Sequence, residues 1–188
     1  MNIADYVGEK VGKLPRVDVG QKPRVTAILK GAGLIDTSWF TPEMAERGTA
    51  VHLACQQLDE GTLNEKVLDD AVRPRLVAYK KFLKELNPRI VAIEQYVEHK
   101  ELRYCGHLDR IVEMGGYGGI LDIKGPAKAA WHGLQTEAYR RCVDWTPKRW
   151  TLHLSDSGYL LIEHMATGDW AAFHAALVLH NWRASNGS

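Results

Sequence analysis

The sequence predicts an α+β fold: a central mixed β-sheet of about five strands flanked by helices, preceded by an N-terminal helical segment. Three observations predict it. Apolar residues keep helical spacing up to Asn87-Pro88, the period shortens to two over three stretches between Ile90 and Ile123, and helical and strand patterns alternate after Pro126. A chain of 188 residues, 45% hydrophobic and 25% charged, has the size and composition of one globular domain and is unlike disordered or low-complexity chains.

Residues 1 to 24, rich in Gly, Pro and Lys, read as an arm or irregular lead-in, with a single domain over 25–188. A short helix follows at Val25 to Gly33. The next has a clear start, with Thr41 as N-cap, Pro42 in the first helical position and Glu43 in the first turn; it continues from Met44 to Leu58 and stops by Gly61. Leu68, Val72, Leu76, Tyr79 and Leu83 keep helical spacing, with Pro74 kinking this segment or starting its main part. Ile90 to Val97, His107 to Val112 and Gly119 to Ile123 read as strands, the last two joined by a turn over Met114 to Gly118. A helix from Lys128 to Val143, strands at Arg149 to Leu154 and Tyr159 to Glu163, and a helix from Trp170 to Trp182 complete the chain.

Several function classes are disfavoured. The first residues, Met1 to Tyr6, lack the basic and apolar regions of a signal peptide, and the longest apolar stretch near the C-terminus is interrupted by His174, so neither export nor a membrane span is expected. Cys55, Cys105 and Cys142 form no Cys-x-x-Cys pair, which suits a reducing cytosol. No G-x-x-x-x-G-K-[ST] loop is present, so no bound nucleotide is expected. The formal charge of +1 conceals segregation: Asp36 to Asp70 holds eight acids against two bases, whereas Arg73 to Arg89 holds six bases and one acid. Lys124 to Trp150 adds six bases against two acids. Such blocks fit solvated faces, or a polyanion track beside an acidic, metal-binding pocket.

The hairpin carries the chemistry. Centred on Gly115-Gly116, it places Ile111 opposite Ile120 and Asp109 opposite Asp122. Carboxylates paired in this way have Cβ atoms about 4.5 to 5.5 Å apart, an arrangement that is destabilising unless a cation lies between them. A hard divalent ion such as Mg²⁺ or Mn²⁺ suits that position. Lys124 points to the same face as Asp122 by alternation; the competing reading is an edge-strand ion pair of these two residues.

Gly106-His107-Leu108-Asp109, Leu121-Asp122-Ile123-Lys124 and Gln135-Thr136-Glu137-Ala138-Tyr139 together resemble the core of the PD-(D/E)XK nucleases, in the RecB-like branch of phage-type and mitochondrial single-domain exonucleases. Arg47-Gly48-Thr49-Ala50-Val51-His52 is similar to that branch's helical histidine motif, and Pro23 to Leu29 to its entry segment. The resemblance covers about residues 23 to 165. Gly125 stands where many relatives have a small hydroxyl residue, and the four cysteines that hold an iron–sulfur cluster in some relatives are missing, so no cluster is expected.

The resemblance implies a restriction-endonuclease-like core in which Asp109, Asp122 and Lys124 are catalytic. One or two Mg²⁺ or Mn²⁺ ions would be held by His52, Asp109, Asp122 and the Ile123 carbonyl; Glu94, on the first expected strand, would ligate a second metal or hold a metal-bound water, with an ordinary surface carboxylate as the competing reading. Phosphodiester hydrolysis needs an activated water and charge stabilisation at phosphorus, and divalent ions supply both. Gln135 and Tyr139 share a helix face, from which they would support Lys124 and bind the DNA backbone. Trp131, on the same stripe, would stack on an unpaired base, with core packing as the competing reading. Lys80, Lys81 and Lys84 would track phosphates or form a solvated face.

The implied function is a metal-dependent DNA exonuclease acting from a duplex end or on a single strand, in recombination or end processing. A structure-specific or flap endonuclease of the same fold is the alternative within this chemistry. A non-catalytic module that binds DNA or a recombination partner is the alternative from another class. Family analogy adds a strand-annealing recombination protein or a second copy of the chain as partners, and the cytoplasm of a bacterium or phage-infected cell as the compartment.

Overall fold

The structure is a computed structural model that describes residues 22–187 apart from residues 37, 39 and 146. Most of the N-terminal arm expected over residues 1 to 24 therefore lies outside the described residues. Helix α1 (Val25–Gly31) buries Val25, Ile28 and Leu29 and is shorter than expected by one turn-forming pair, Ala32-Gly33. Helix α2 (Pro42–Asp59) starts as its sequence predicts: the Thr41 hydroxyl accepts the Met44 N–H at 3.3 Å, and Pro42 takes the first position. Its buried residues, Val51, Ala54 and Cys55, recur at the three-to-four spacing of one helix face.

Leu68 and Val72 are not helical, in contrast to the spacing argument. A 3-10 turn at Glu65–Val67 is capped by Asn64, and the Asp69 carboxylate accepts the Ala71 N–H at 2.7 Å. These side-chain bonds compete with helical ones and confine helix α3 to Arg73–Leu86, with Pro74 in its first turn. Asn87 adopts a left-handed conformation (φ 43°) and ends α3 before Pro88.

Five strands follow: β1 (Arg89–His99), β2 (Tyr104–Met114), β3 (Tyr117–Lys124), β4 (Lys148–Ser155) and β5 (Gly158–Glu163). They form one mixed sheet in the order β1-β2-β3-β4-β5, antiparallel except for β3 with β4. Helix α4 (Trp131–Arg140) is the crossover that the parallel pair requires, and α5 (Asp169–Asn186) closes the chain. The hairpin register is the expected one, with Ile111 opposite Ile120, and Met114 pairs with Tyr117 across the turn. Gly115 and Gly116 both have positive φ, 59° and 82°, which a two-residue hairpin turn of this type demands. The turn is thus tighter than the five residues expected.

The sheet is covered on both faces. One core joins α1, α4 and α5 to it through Ile28, Tyr104, Ile111, Ile120, Ala138 and Phe173. The second joins α2 and α3 through Val51, Leu76, Phe82, Val112, Leu121 and Leu152. Helix α4 is shorter than the predicted Lys128 to Val143, because Cys142 and Val143 turn back in i to i+3 bonds onto Tyr139 and Arg140. No helix among the described residues is long and apolar enough to cross a membrane.

Candidate metal centre and its lysine

The site is built where β2 and β3 part. Their ladder ends at Arg110 opposite Leu121; beyond it, β2 remains paired with β1, while Asp122 to Lys124 of β3 pair with Thr151 to His153 of β4. The fork leaves room between the strands, and Asp109 fills it: its Oδ2 accepts the Ile123 N–H at 2.6 Å. The same oxygen lies 3.5 Å from His52 Nδ1, brought in by α2. Glu94 enters from β1 in a left-handed conformation (φ 48°), which is strained for a residue with a side chain. Ligand atoms of His52, Glu94 and Asp109 all lie within 4.8 Å of one another, so this cluster could hold a metal ion.

Asp122 is buried beside this cluster and forms an ion pair with Lys124. Its Oδ2 touches the ammonium without a well-directed hydrogen bond. Burial pushes the Asp122 carboxyl above the usual carboxylate range; Lys124 opposes this and the Asp109 carboxylate adds to it. Asp122 thus has the Lys124 ammonium as its counter-charge and adjoins the cluster of His52, Glu94 and Asp109.

Lys124 is positioned by the helix face identified from sequence. Its Nζ donates to Gln135 Oε1 at 2.8 Å, and Gln135 Nε2 donates to the Tyr139 hydroxyl at 2.9 Å. Gly106 makes this possible, since a Cβ there would lie 2.3 Å from the Tyr139 ring. Gln135 and Tyr139 are both buried, which suits support of Lys124 and leaves neither on a surface that a DNA backbone could touch. Trp131 packs partly against the first core, with Lys124 Nζ 5.1 Å from its ring centroid, a cation–π contact. Two of the α3 lysines are tied to nearby acids, Lys80 to Glu65 at 2.6 Å and Lys81 to Glu85 at 3.9 Å.

Of the residues expected at the site, His52, Glu94 and Asp109 come together, with Asp122 and Lys124 as an adjoining pair. Ile123 contributes its N–H to Asp109, and its side chain lies in the second core.

Sequence reasoning missed Arg110, Asp59, Tyr79 and His153. Arg110 is wholly buried between Asp59 and Glu94. Its signal was a second charge, directly after Asp109, in a strand segment whose other residues, Leu108, Ile111 and Val112, are apolar. His153 Nδ1 contacts the Gly125 carbonyl at 3.0 Å and so holds the chain just after Lys124. No family model and no curated protein matches this chain. Among solved structures, the crystal structure of SSO0001 aligns with a TM-score of 0.43 and 11% identity, over 94% of this chain and 83% of that one. A likeness of that degree carries no argument about function.

Proposed function

We propose that the chain is a Mg²⁺- or Mn²⁺-dependent deoxyribonuclease of the PD-(D/E)XK type, RecB-like branch, that hydrolyses phosphodiester bonds from DNA ends in recombination or end processing. One observation carries this reading. The fork between β2 and β3 gathers an imidazole, three carboxylates and a helix-supported lysine from α2, β1, β2 and β3.

His52, Glu94, Asp109 and Asp122 would hold the ion, with the Ile123 carbonyl as a further oxygen; this oxygen-rich set suits a hard divalent cation. When bound, the ion supplies Lewis-acid stabilisation of the phosphate charge and a lowered pKa for the attacking water. Lys124 Nζ, held by Gln135 on one side and Trp131 on another, orients that water and offsets charge developing on the phosphate oxygens. Asp122 pairs with the ammonium and holds it near the reacting group. Trp131, half-buried beside Lys124, is placed to stack on a base at a frayed end. Three free cysteines suit a reducing, cytoplasmic compartment.

The test is cleavage of end-labelled linear duplex and covalently closed circular DNA with Mg²⁺ or Mn²⁺, comparing wild type with Asp122→Ala and Lys124→Ala. Linear DNA is expected to be degraded and circles left intact, with both variants and chelated wild type inactive. Unchanged activity in both variants sinks the mechanism. Circles cut as readily as linear DNA sink the exonuclease assignment in favour of an endonuclease, and binding without cleavage favours a non-catalytic module.

A further inference from the structure

The geometry points to Arg110 as the positioning residue of the metal centre: one buried guanidinium braces all three clustered ligands, His52, Glu94 and Asp109, from behind. The inference rests on the metal-site reading above and adds a residue to it.

Arg110 has no exposed surface, and its contacts run in three directions. Nε donates to Asp59 Oδ2 at 2.6 Å. Asp59 is the last residue of α2 and lies two turns beyond His52 on the same face, so this pair clamps the histidine's helix to β2. Nη1 donates to Glu94 Oε1 at 3.3 Å and to the Asp109 carbonyl at 2.6 Å. The first contact restrains a ligand whose backbone is already in a left-handed conformation; the second fixes the main chain of another. Nη2 is buried and makes no hydrogen bond. A guanidinium retained there at the expense of an unsatisfied N–H is poorly explained by the Asp59 pair alone, since well-packed apolar residues commonly replace such a pair without loss. Only a planar fork can reach Asp59, Glu94 and the Asp109 carbonyl at once, and a lysine's point charge cannot.

A purely structural ion pair would couple Arg110 to folding alone, whereas a positioning residue also sets metal affinity. The experiment is a Mn²⁺ binding isotherm, with thermal melting in parallel, on wild type, Arg110→Lys, the paired variant Asp59→Asn/Arg110→Met, and Tyr79→Phe. The paired variant removes both buried charges together and so keeps a foldable core. Tyr79 donates to Asp59 at 2.8 Å and lies beside Arg110, so its loss weakens the buried pair while the guanidinium keeps its own donors to Glu94 and the Asp109 carbonyl.

Arg110→Lys and the paired variant are expected to bind Mn²⁺ about 10- to 100-fold more weakly, the usual effect of removing a group that orients a metal ligand. Tyr79→Phe is expected to melt earlier with unchanged affinity. If wild type binds Mn²⁺ and both Arg110 variants bind it equally well, or if Tyr79→Phe loses as much affinity as Arg110→Lys, the positioning role is overturned while the metal site stands. If wild type does not bind Mn²⁺, the metal-site reading falls and this inference with it.

Discussion

Helix α4 serves two charge clusters, and they differ in kind. Gln135 and Tyr139 face Lys124 and the fork; Glu137, about 200° round the helix from Gln135, faces Arg140, Arg141 and Arg149. Both Glu137 oxygens are saturated: Oε1 accepts from Arg140 and Arg141 at 2.7 and 2.9 Å, and Oε2 from Arg140 at 2.7 Å with Arg149 at 3.2 Å. Arg149 also reaches Asp169 and the Gly133 carbonyl, each at 2.9 Å, which ties β4 to α4 and α5. Burial disfavours the charged Glu137 carboxyl, yet the Arg140 and Arg141 hydrogen bonds outweigh it and hold the group below its ordinary value. At the fork the balance is reversed: burial outweighs the Lys124 ammonium and pushes the Asp122 carboxyl up. Glu137 is met by three guanidiniums and Asp122 by the Lys124 ammonium, beside a cluster that could hold a metal ion.

The comparison can be tested in five places. Asp109→Asn keeps an acceptor for the Ile123 N–H but removes the charge. It should lower DNA hydrolysis by about 100- to 1000-fold with little change in melting temperature. A large loss of stability with retained activity would reverse the assignment of the two clusters.

Glu137→Gln should do the opposite, costing about 3 kcal/mol in urea unfolding while hydrolysis per folded molecule is unchanged. Because the folded Glu137 value lies below its ordinary 4.5, its contribution is present above that value and lost as pH falls through the lowered one. The variant's stability curve should therefore be flatter on the acid side, as read from urea midpoints taken from neutral pH downwards.

Gly106→Ala tests the link between packing and chemistry. The added methyl displaces the Tyr139 ring, at a cost of about 1–3 kcal/mol, and should loosen Gln135 and slow hydrolysis as well. Gln135→Leu isolates the last contact and should reduce kcat by about tenfold, the worth of one hydrogen bond to a charged group. Lys80→Ala, by contrast, breaks only an exposed pair and should shift stability by less than about 1 kcal/mol.

Legibility followed sequence separation. The Thr41 cap, the Gly115-Gly116 centre of the hairpin and its register as far as Arg110 depend on residues a few positions apart, and all three appear as read, in a turn tighter than expected. Gln135 with Tyr139 was readable for the same reason, being one helix turn apart. The helix expected through Leu68 and Val72 failed because Asn64 and Asp69 side chains capture nearby backbone N–H groups, a competition that apolar spacing does not register. The backbone-binding role expected of Gln135 and Tyr139 gave way to burial, which depends on what the sheet packs against.

By itself the sequence determined the alternation of helices and strands, the hairpin register from Met114 back to Arg110 and the face that supports Lys124, because each follows from local periodicity and turn chemistry; the expected pairing of Asp109 with Asp122 is lost where the strands part. The tertiary structure alone decided that His52 and Glu94 reach Asp109, since α2 and β1 arrive from distant parts of the chain and Glu94 does so at positive φ. It also decided that Arg110 turns inward to Asp59, 51 residues away. The physical reason is shared. A buried charge must find its partner in space, and no period along the chain records where that partner will be.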